Sequence, residues 1–161
     1  NLRIAVDAIS AANHPHNFLT LTKSGHSAIF STSGNDDCHL ILRGGIEPNY
    51  GAESIDDAKA ALRSALVLQK IMIDFSHANS RKEPVQQIEV CKDVCQQIKN
   101  GSEQIVGAMI ESHLIGGRQD IVAGHSLTYG QSITDACLAW DESTDLLKQL
   151  ALSASGRRKA L

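Results

Sequence analysis

A chain of 161 residues, 42% hydrophobic and 20% charged, is long enough for one domain with its own core and too short for two ordinary ones. Its 15 Lys and Arg against 18 Asp and Glu leave a formal net charge of -3, without the basic surplus that holds a phosphate backbone, so nucleic acid is not an expected partner. No apolar run approaches the roughly 20 residues that cross a bilayer, and no basic-then-apolar leader opens the chain, so the expectation is a cytoplasmic, enzyme-like domain over residues 1–161 with no membrane partner.

Leu2, Ile4, Ala5, Ala8, Ile9 and Ala12 recur at helical spacing up to Asn13, with Pro15 just beyond. The first residue is Asn and the amphipathic pattern begins at once, so this helix reads as cut at its start and the chain as a piece of a longer one. Residues 18–22 alternate apolar side chains with Thr and predict a strand. After Lys23-Ser24-Gly25, the extended stretch 28–31 leads to the Gly34-Asn35 turn and predicts a small hairpin following that strand. Residues 39–43 are an apolar, β-rich run closed by Gly44-Gly45, too short for a helix and therefore a buried strand. Ser54 with Asp57 resembles a capping box, and Ile55, Ala58, Leu62, Ala65 and Leu66 then share a helical face.

The same order repeats. Residues 70–75 form a second apolar strand, and Pro84 opens a helix that turns Ile88, Cys91, Val94, Cys95 and Ile98 inward until Gly101. Residues 105–110 form the next buried strand, a polar loop runs to Tyr129, and a last helix from Asp141 or Ser143 is expected to bury Leu146, Leu147, Leu150 and Leu152. Cys38, Cys91, Cys95 and Cys137 lack the dense spacing of a disulfide scaffold; Cys91 and Cys95 stand one helical turn apart and read as core packing rather than as half of a zinc site.

Apolar strands alternating with amphipathic helices predict an α/β fold with a parallel sheet covered on its faces. Arg43, His77 and Glu111 each follow an apolar strand, and each stands 34 positions after the last (43, 77, 111), one βα unit per step. The carboxyl ends of parallel strands are where α/β folds bind ligands, so these side chains share a candidate functional rim. Glu111 and Asp135 offer hard oxygen donors and His77 a nitrogen donor, a set that suits Mn, Fe, Co or Zn with positions left open for substrate. The alternative is structural: His77 caps a strand end, Glu111 pairs with Arg43, and Asp135 caps a turn. Arg43 beside Gly44-Gly45 offers a planar cation to a phosphate or carboxylate, or else forms a salt bridge. Among the remaining histidines, His26, His39 and His113 have the sequence positions to approach the same rim.

Five strings carry a family resemblance. Asp37-Cys38-His39-Leu40-Ile41-Leu42-Arg43-Gly44-Gly45, Pro48-Asn49-Tyr50, Ile73-Asp74-Phe75-Ser76-His77-Ala78-Asn79-Ser80, Met109-Ile110-Glu111-Ser112-His113 and Tyr129-Gly130-Gln131-Ser132-Ile133-Thr134-Asp135-Ala136-Cys137 occur in an order that resembles class I 3-deoxy-D-arabino-heptulosonate 7-phosphate (DAHP) synthase. The string around Cys38 and Arg43 is closer to the phenylalanine-sensitive type. The resemblance implies a (βα)8 TIM barrel, of which this chain would supply the C-terminal half, about four βα units with a small hairpin inserted after the first strand.

It also implies a transferase that condenses phosphoenolpyruvate with erythrose 4-phosphate, the first step of the shikimate pathway toward aromatic amino acids. His77, Glu111 and Asp135 match the family's metal ligands, and a fourth ligand, a Cys, belongs to the half not contained here. Arg43 and His77 match catalytic positions at the phosphoenolpyruvate site. Phe18, Thr20 and Phe30 match the region of an aromatic amino acid effector pocket. The family's Lys-Pro-Arg-Thr motif for erythrose 4-phosphate is absent from these residues. The expectation is therefore a chain inactive alone, needing the N-terminal half of the barrel and forming a homo-oligomer. The competing expectation is a non-catalytic half-barrel that self-associates through its open sheet edges.

Overall fold

Three short parallel strands organise the chain. The computed structural model describes residues 1–160. After α1 (Leu2–Asn13) and a hairpin, β3 (Leu40–Leu42), β4 (Ile71–Asp74) and β5 (Ile105–Met109) pair in the order β3-β4-β5. α2 (Ala52–Ser64) connects β3 to β4, α3 (Gln86–Lys99) connects β4 to β5, and α4 (Trp140–Ala160) is the last described helix and packs along α3. Leu40, Leu42, Ile71, Ile73 and Ile105 of the strands form one core with Ile55, Ala58 and Leu62 of α2, Val90, Val94 and Ile98 of α3, and Leu146 of α4. Each fully buried Leu or Ile contributes about 1.5–3 kcal/mol, so this cluster outweighs helix propensity in holding the sheet.

The cover is one-sided, where the sequence predicts both faces covered. Alternate strand side chains point to opposite faces. Leu40 and Leu42 are buried while Ile41 between them is 43% exposed, and next to buried Ile105 stands Val106 at 53%. One sheet face meets the helices and the other is open among the described residues.

Residues 18–22 are not a sheet strand followed by a hairpin. β1 (Asn17–Leu21) and β2 (Ser27–Ser31) are the two arms of a single antiparallel hairpin, registered Phe18 to Phe30 and Thr20 to Ala28. The chain reverses at once because the Thr22 carbonyl accepts from Gly25 N–H and Thr22 N–H donates to the His26 carbonyl, with Gly25 at φ +82°. The parallel series consequently has three strands rather than four. Its continuation is a bridge: Leu138 pairs in parallel with Ser112 beyond the end of β5, donating to the Glu111 carbonyl and accepting from His113 N–H. The segment read as loop contains β6 (Ile115–Arg118), which pairs with β7 (Gln131–Ser132).

Helix ends also differ in informative ways. α2 starts with Gly51 as its cap and makes no side-chain capping bond, so Ser54 lies inside the first turn and no capping box forms. Leu66 lies past its end at φ +58°, 94% exposed. α4 begins at Trp140, where Glu142 Oε2 accepts from Ala139 N–H. Leu146 is buried and Leu150 packs on the core, but Leu147 and Leu152 are exposed, because at 3.6 residues per turn the inward face runs through Ser143, Leu146, Leu150 and Ser153. Cys91 and Cys95 are buried in the core with Sγ atoms 3.8 Å apart, and burial pushes the Cys91 thiol up to about 12. No helix among the described residues is long and apolar enough to cross a membrane.

Candidate functional site

Parallel pairing brings the residues that leave β3, β4 and β5 to one end of the sheet. Gly44 stands immediately after Arg43 at φ +78°, and a Cβ there would lie 2.7 Å from Ala78 Cβ and 2.8 Å from Asn79 N. Only glycine lets the exits of β3 and β4 approach so closely. Buried Asn79 ties them together: its Nδ2 donates to the carbonyls of Leu42 and Asp74, its Oδ1 accepts from Asn49 N–H, and Asn49 Oδ1 accepts from Gly44 N–H.

His77 is held from behind. Asp74, fully buried at the end of β4, accepts from Ser76 N–H and Ser76 Oγ–H through Oδ1 and lies 2.7 Å from His77 Nδ1 through Oδ2. An ionised carboxylate only accepts, so Nδ1 carries the proton and the imidazole presents Nε2 to the cavity. His77 adopts φ +54°, a left-handed conformation that non-glycine residues occupy only when neighbouring contacts enforce it.

Glu111 is held by its backbone. The amide of fully buried Gln87 on α3 donates to the Glu111 carbonyl at 3.2 Å and accepts from Glu111 N–H at 2.9 Å. The carboxylate then faces His77, with Oε1 3.5 Å from Nε2. Burial raises the Glu111 carboxyl above its ordinary value; Asp135 and Asp74 add to the rise, while His77 and Arg43 oppose it. Exposed Asp135 follows β7, and its carboxylate takes no hydrogen bond among the described residues.

One ligand atom each from His77, Glu111 and Asp135 lie within 4.8 Å of one another. Two ligands about 2.1 Å from one cation stand roughly 3–3.5 Å apart, so the His77–Glu111 spacing already fits. The chemistry fits as well: a lone pair on Nε2 facing a carboxylate oxygen is repulsive unless a proton or cation lies between them, and a carboxylate behind the other ring nitrogen is the usual support of a metal-binding His.

These groups line a cavity of about 420 Å³ with Arg43, Gly44, Gly45, Lys82 and Gln87. Arg43 is exposed and no carboxylate lies within 4.0 Å of it among the described residues, so the Arg43–Glu111 ion pair of the structural alternative does not form. The turn before Asp135 is closed by Ser132 Oγ, which accepts from Thr134 N–H, and the Asp135 carboxylate is not its cap. Phe18 and Phe30 stack across the hairpin with ring centroids 6.2 Å apart, and Thr20 follows two residues on; none of the three lines this cavity. His26, His39 and His113 do not line it either.

Sequence reasoning missed four members of the arrangement: Asp74, Asn79, Lys82 and Gln87. Gln87 left a trace, since it is a lone amide in step with the apolar face through Cys91, Val94 and Ile98. Asp74 had one too, as an acid in an apolar strand three residues before a candidate ligand.

The model of the DAHP synthetase I family matches residues 1–148. The chain is 55% identical over 160 residues to a phospho-2-dehydro-3-deoxyheptonate aldolase of Haemophilus influenzae, which covers 99% of this chain and 44% of that protein. It is 54% identical over 157 residues to the Phe-sensitive enzyme of that name from Escherichia coli, covering 98% of this chain and 45% of that protein. A phospho-2-dehydro-3-deoxyheptonate aldolase structure from Francisella tularensis superposes with a TM-score of 0.90 at 47% identity, over 98% of this chain and 46% of the other. The chain thus spans a little under half the length of the relatives it matches.

Proposed function

Because the chain belongs to the DAHP synthetase I family, we propose that its cavity is the phosphoenolpyruvate and metal portion of a site that condenses phosphoenolpyruvate with erythrose 4-phosphate. In this reading the three-stranded sheet is an arc of a (βα)8 barrel, and its open face, with Ile41 and Val106 exposed, is the face that would turn toward the barrel interior. The observation that carries the proposal is the convergence of His77, Glu111 and Asp135 on one cavity that also contains the guanidinium of Arg43, which has no carboxylate within 4.0 Å among the described residues.

His77 Nε2, Glu111 and Asp135 would hold a divalent cation of the Mn, Fe, Co or Zn group. Such a cation, when bound, supplies Lewis-acid polarisation of the aldehyde oxygen of erythrose 4-phosphate. Arg43 grips the phosphate of phosphoenolpyruvate through paired N–H donors and fixes the enol for attack. The enol methylene carbon bonds to the aldehyde carbon as the C=O π pair moves onto the aldehyde oxygen. Water adds at the adjacent carbon and its released proton ends on that oxygen. The C–O bond of the resulting hemiketal phosphate then breaks, the hydroxyl proton leaves with inorganic phosphate, and a ketone remains. Asp74 keeps the His77 proton on Nδ1 throughout, and Gln87 keeps the Glu111 backbone in place.

Phe18, Thr20 and Phe30 are our candidates for an aromatic amino acid effector site. The Phe-sensitive relative and a Trp-sensitive one from Shigella flexneri, 49% identical, support that class of effector, and the three side chains share one face of the hairpin. The exposed Leu19, Leu21 and Ile29 of the same hairpin support assembly into a homo-oligomer.

The test is to assay the 161-residue chain alone and joined to the portion of the Haemophilus influenzae relative that it does not cover. Expected is no turnover by the chain alone, and turnover by the joined protein that requires Mn and is abolished by chelator. Chelator-insensitive turnover, or a folded joined protein that stays inactive with Mn, overturns the proposal. The open sheet face favours a second reading, a self-associating non-catalytic half-barrel. Chain-alone activity, or a monomer in sedimentation of the chain alone, removes it.

A further inference from the structure

We propose that Lys82 is a second phosphate-binding cation of this cavity, acting beside Arg43 on the phosphate ester of a substrate; the inference deepens the functional reading above and depends on it. Lys82 lines the same cavity as Arg43, His77, Glu111 and Asp135. Lys82 is exposed, and no carboxylate lies within 4.0 Å of its ammonium among the described residues. A cation left without a partner, in a concave site that already contains a guanidinium, has an anion as its natural guest.

The backbone supports this placement. Arg81 and Lys82 both adopt left-handed conformations, φ +53° and +62°, so with His77 three non-glycine residues of six hold positive φ. Such strain clusters where neighbouring contacts enforce it at functional sites. Here Lys82 N–H donates to the His77 carbonyl at 2.8 Å, Arg81 N–H to the Ala78 carbonyl and Glu83 N–H to the Ser80 carbonyl. The loop therefore ties Lys82 directly to the candidate ligand His77.

The turn also separates two adjacent cations. Arg81 lines a different cavity of about 370 Å³ with Pro48, Tyr50 and Glu83, while Lys82 lines the site.

Inorganic phosphate is the first probe, titrated by calorimetry into the 161-residue chain carrying Lys82, Lys82→Gln or Lys82→Arg. Gln removes the charge while keeping an unbranched polar side chain, and thermal unfolding checks that each variant is folded. Loss of one charge-assisted contact at an open site weakens phosphate about tenfold in Lys82→Gln, with most of the affinity kept in Lys82→Arg. Equal affinity in wild type and Lys82→Gln, or no phosphate binding by either, overturns the inference while leaving the functional reading to be judged by turnover. In the joined enzyme, Lys82→Gln raises KM for one phosphate ester about tenfold with kcat within threefold. The substrate whose KM moves identifies the phosphate; an unchanged KM for both, beside normal turnover, overturns the inference alone. A fall in kcat with both KM values unmoved marks a merely structural role and also overturns it.

Discussion

Gln87 illustrates how much of this site is built by residues that never face the cavity with a charge. Its single amide satisfies both the donor and the acceptor of the Glu111 backbone, and it does so from the middle of α3, fully buried. Replacing it by Met keeps the volume but leaves two partly buried polar groups without partners. A buried group that loses its partner costs about 1–3 kcal/mol. Urea unfolding of Gln87→Met should show a loss in that range. Mn affinity, read by the loss of the free-ion paramagnetic resonance signal, should fall about tenfold, as for other residues that support a ligand from behind. Unchanged Mn affinity in a destabilised variant would show that Gln87 serves the fold alone.

At the scale of elements, the helices are addressed to the sheet by narrow stripes. α4 is the clearest case, because adjacent leucines have opposite fates: Leu146 is 1% exposed and Leu147 is 53% exposed. Leu146→Ala should destabilise the chain by about 2–5 kcal/mol through a core cavity, while Leu147→Ala should stay within about 0.5 kcal/mol of wild type. Denaturant midpoints at constant slope decide the matter; equal losses would mean that α4 packs in another rotation. The loop from β4 to α3 is the counterpart at the site: its buried Ser76, Asn79 and Ser80 and its left-handed turns make it a rigid shelf, not a passive connection.

For the whole molecule, charge at the site is linked to folding. Glu111 is raised in the folded state, so the fold binds its proton more tightly than the unfolded chain does. Its contribution is therefore present below the ordinary carboxyl value near 4.5 and is lost as pH rises through the raised one. Wild type minus Glu111→Gln isolates that contribution from the other carboxylates. Between pH 4 and 8, without metal, the difference in Tm should turn against wild type as pH rises. With Mn at a hundredfold excess over Kd, the sign should reverse at neutral pH, since ligand bound only to the fold adds about 2.7 kcal/mol. A pH-independent difference, or no effect of Mn, would separate Glu111 from both proton and cation.

The alternation of apolar strands and amphipathic helices, the core faces of α2 and α3, and the 34-residue rhythm that brings Arg43, His77 and Glu111 to one end of the sheet were all legible in the linear order, because each follows from short-range periodicity. The hairpin was misread because alternating residues look alike in a half-buried sheet strand and in a free-standing arm; only the pairing of Phe18 with Phe30 distinguishes them. Leu147 and Leu152 were misplaced because each stands one residue from the buried stripe through Leu146 and Ser153, and in a Leu-rich segment neighbouring leucines read as one continuous face. Asp74 behind His77, Gln87 behind Glu111, and the left-handed turn that sends Lys82 to one cavity and Arg81 to another were decided by tertiary structure alone. Hydrogen bonds between side chains and distant backbone have no period, and a backbone dihedral enforced by neighbours leaves no mark on the residue that adopts it.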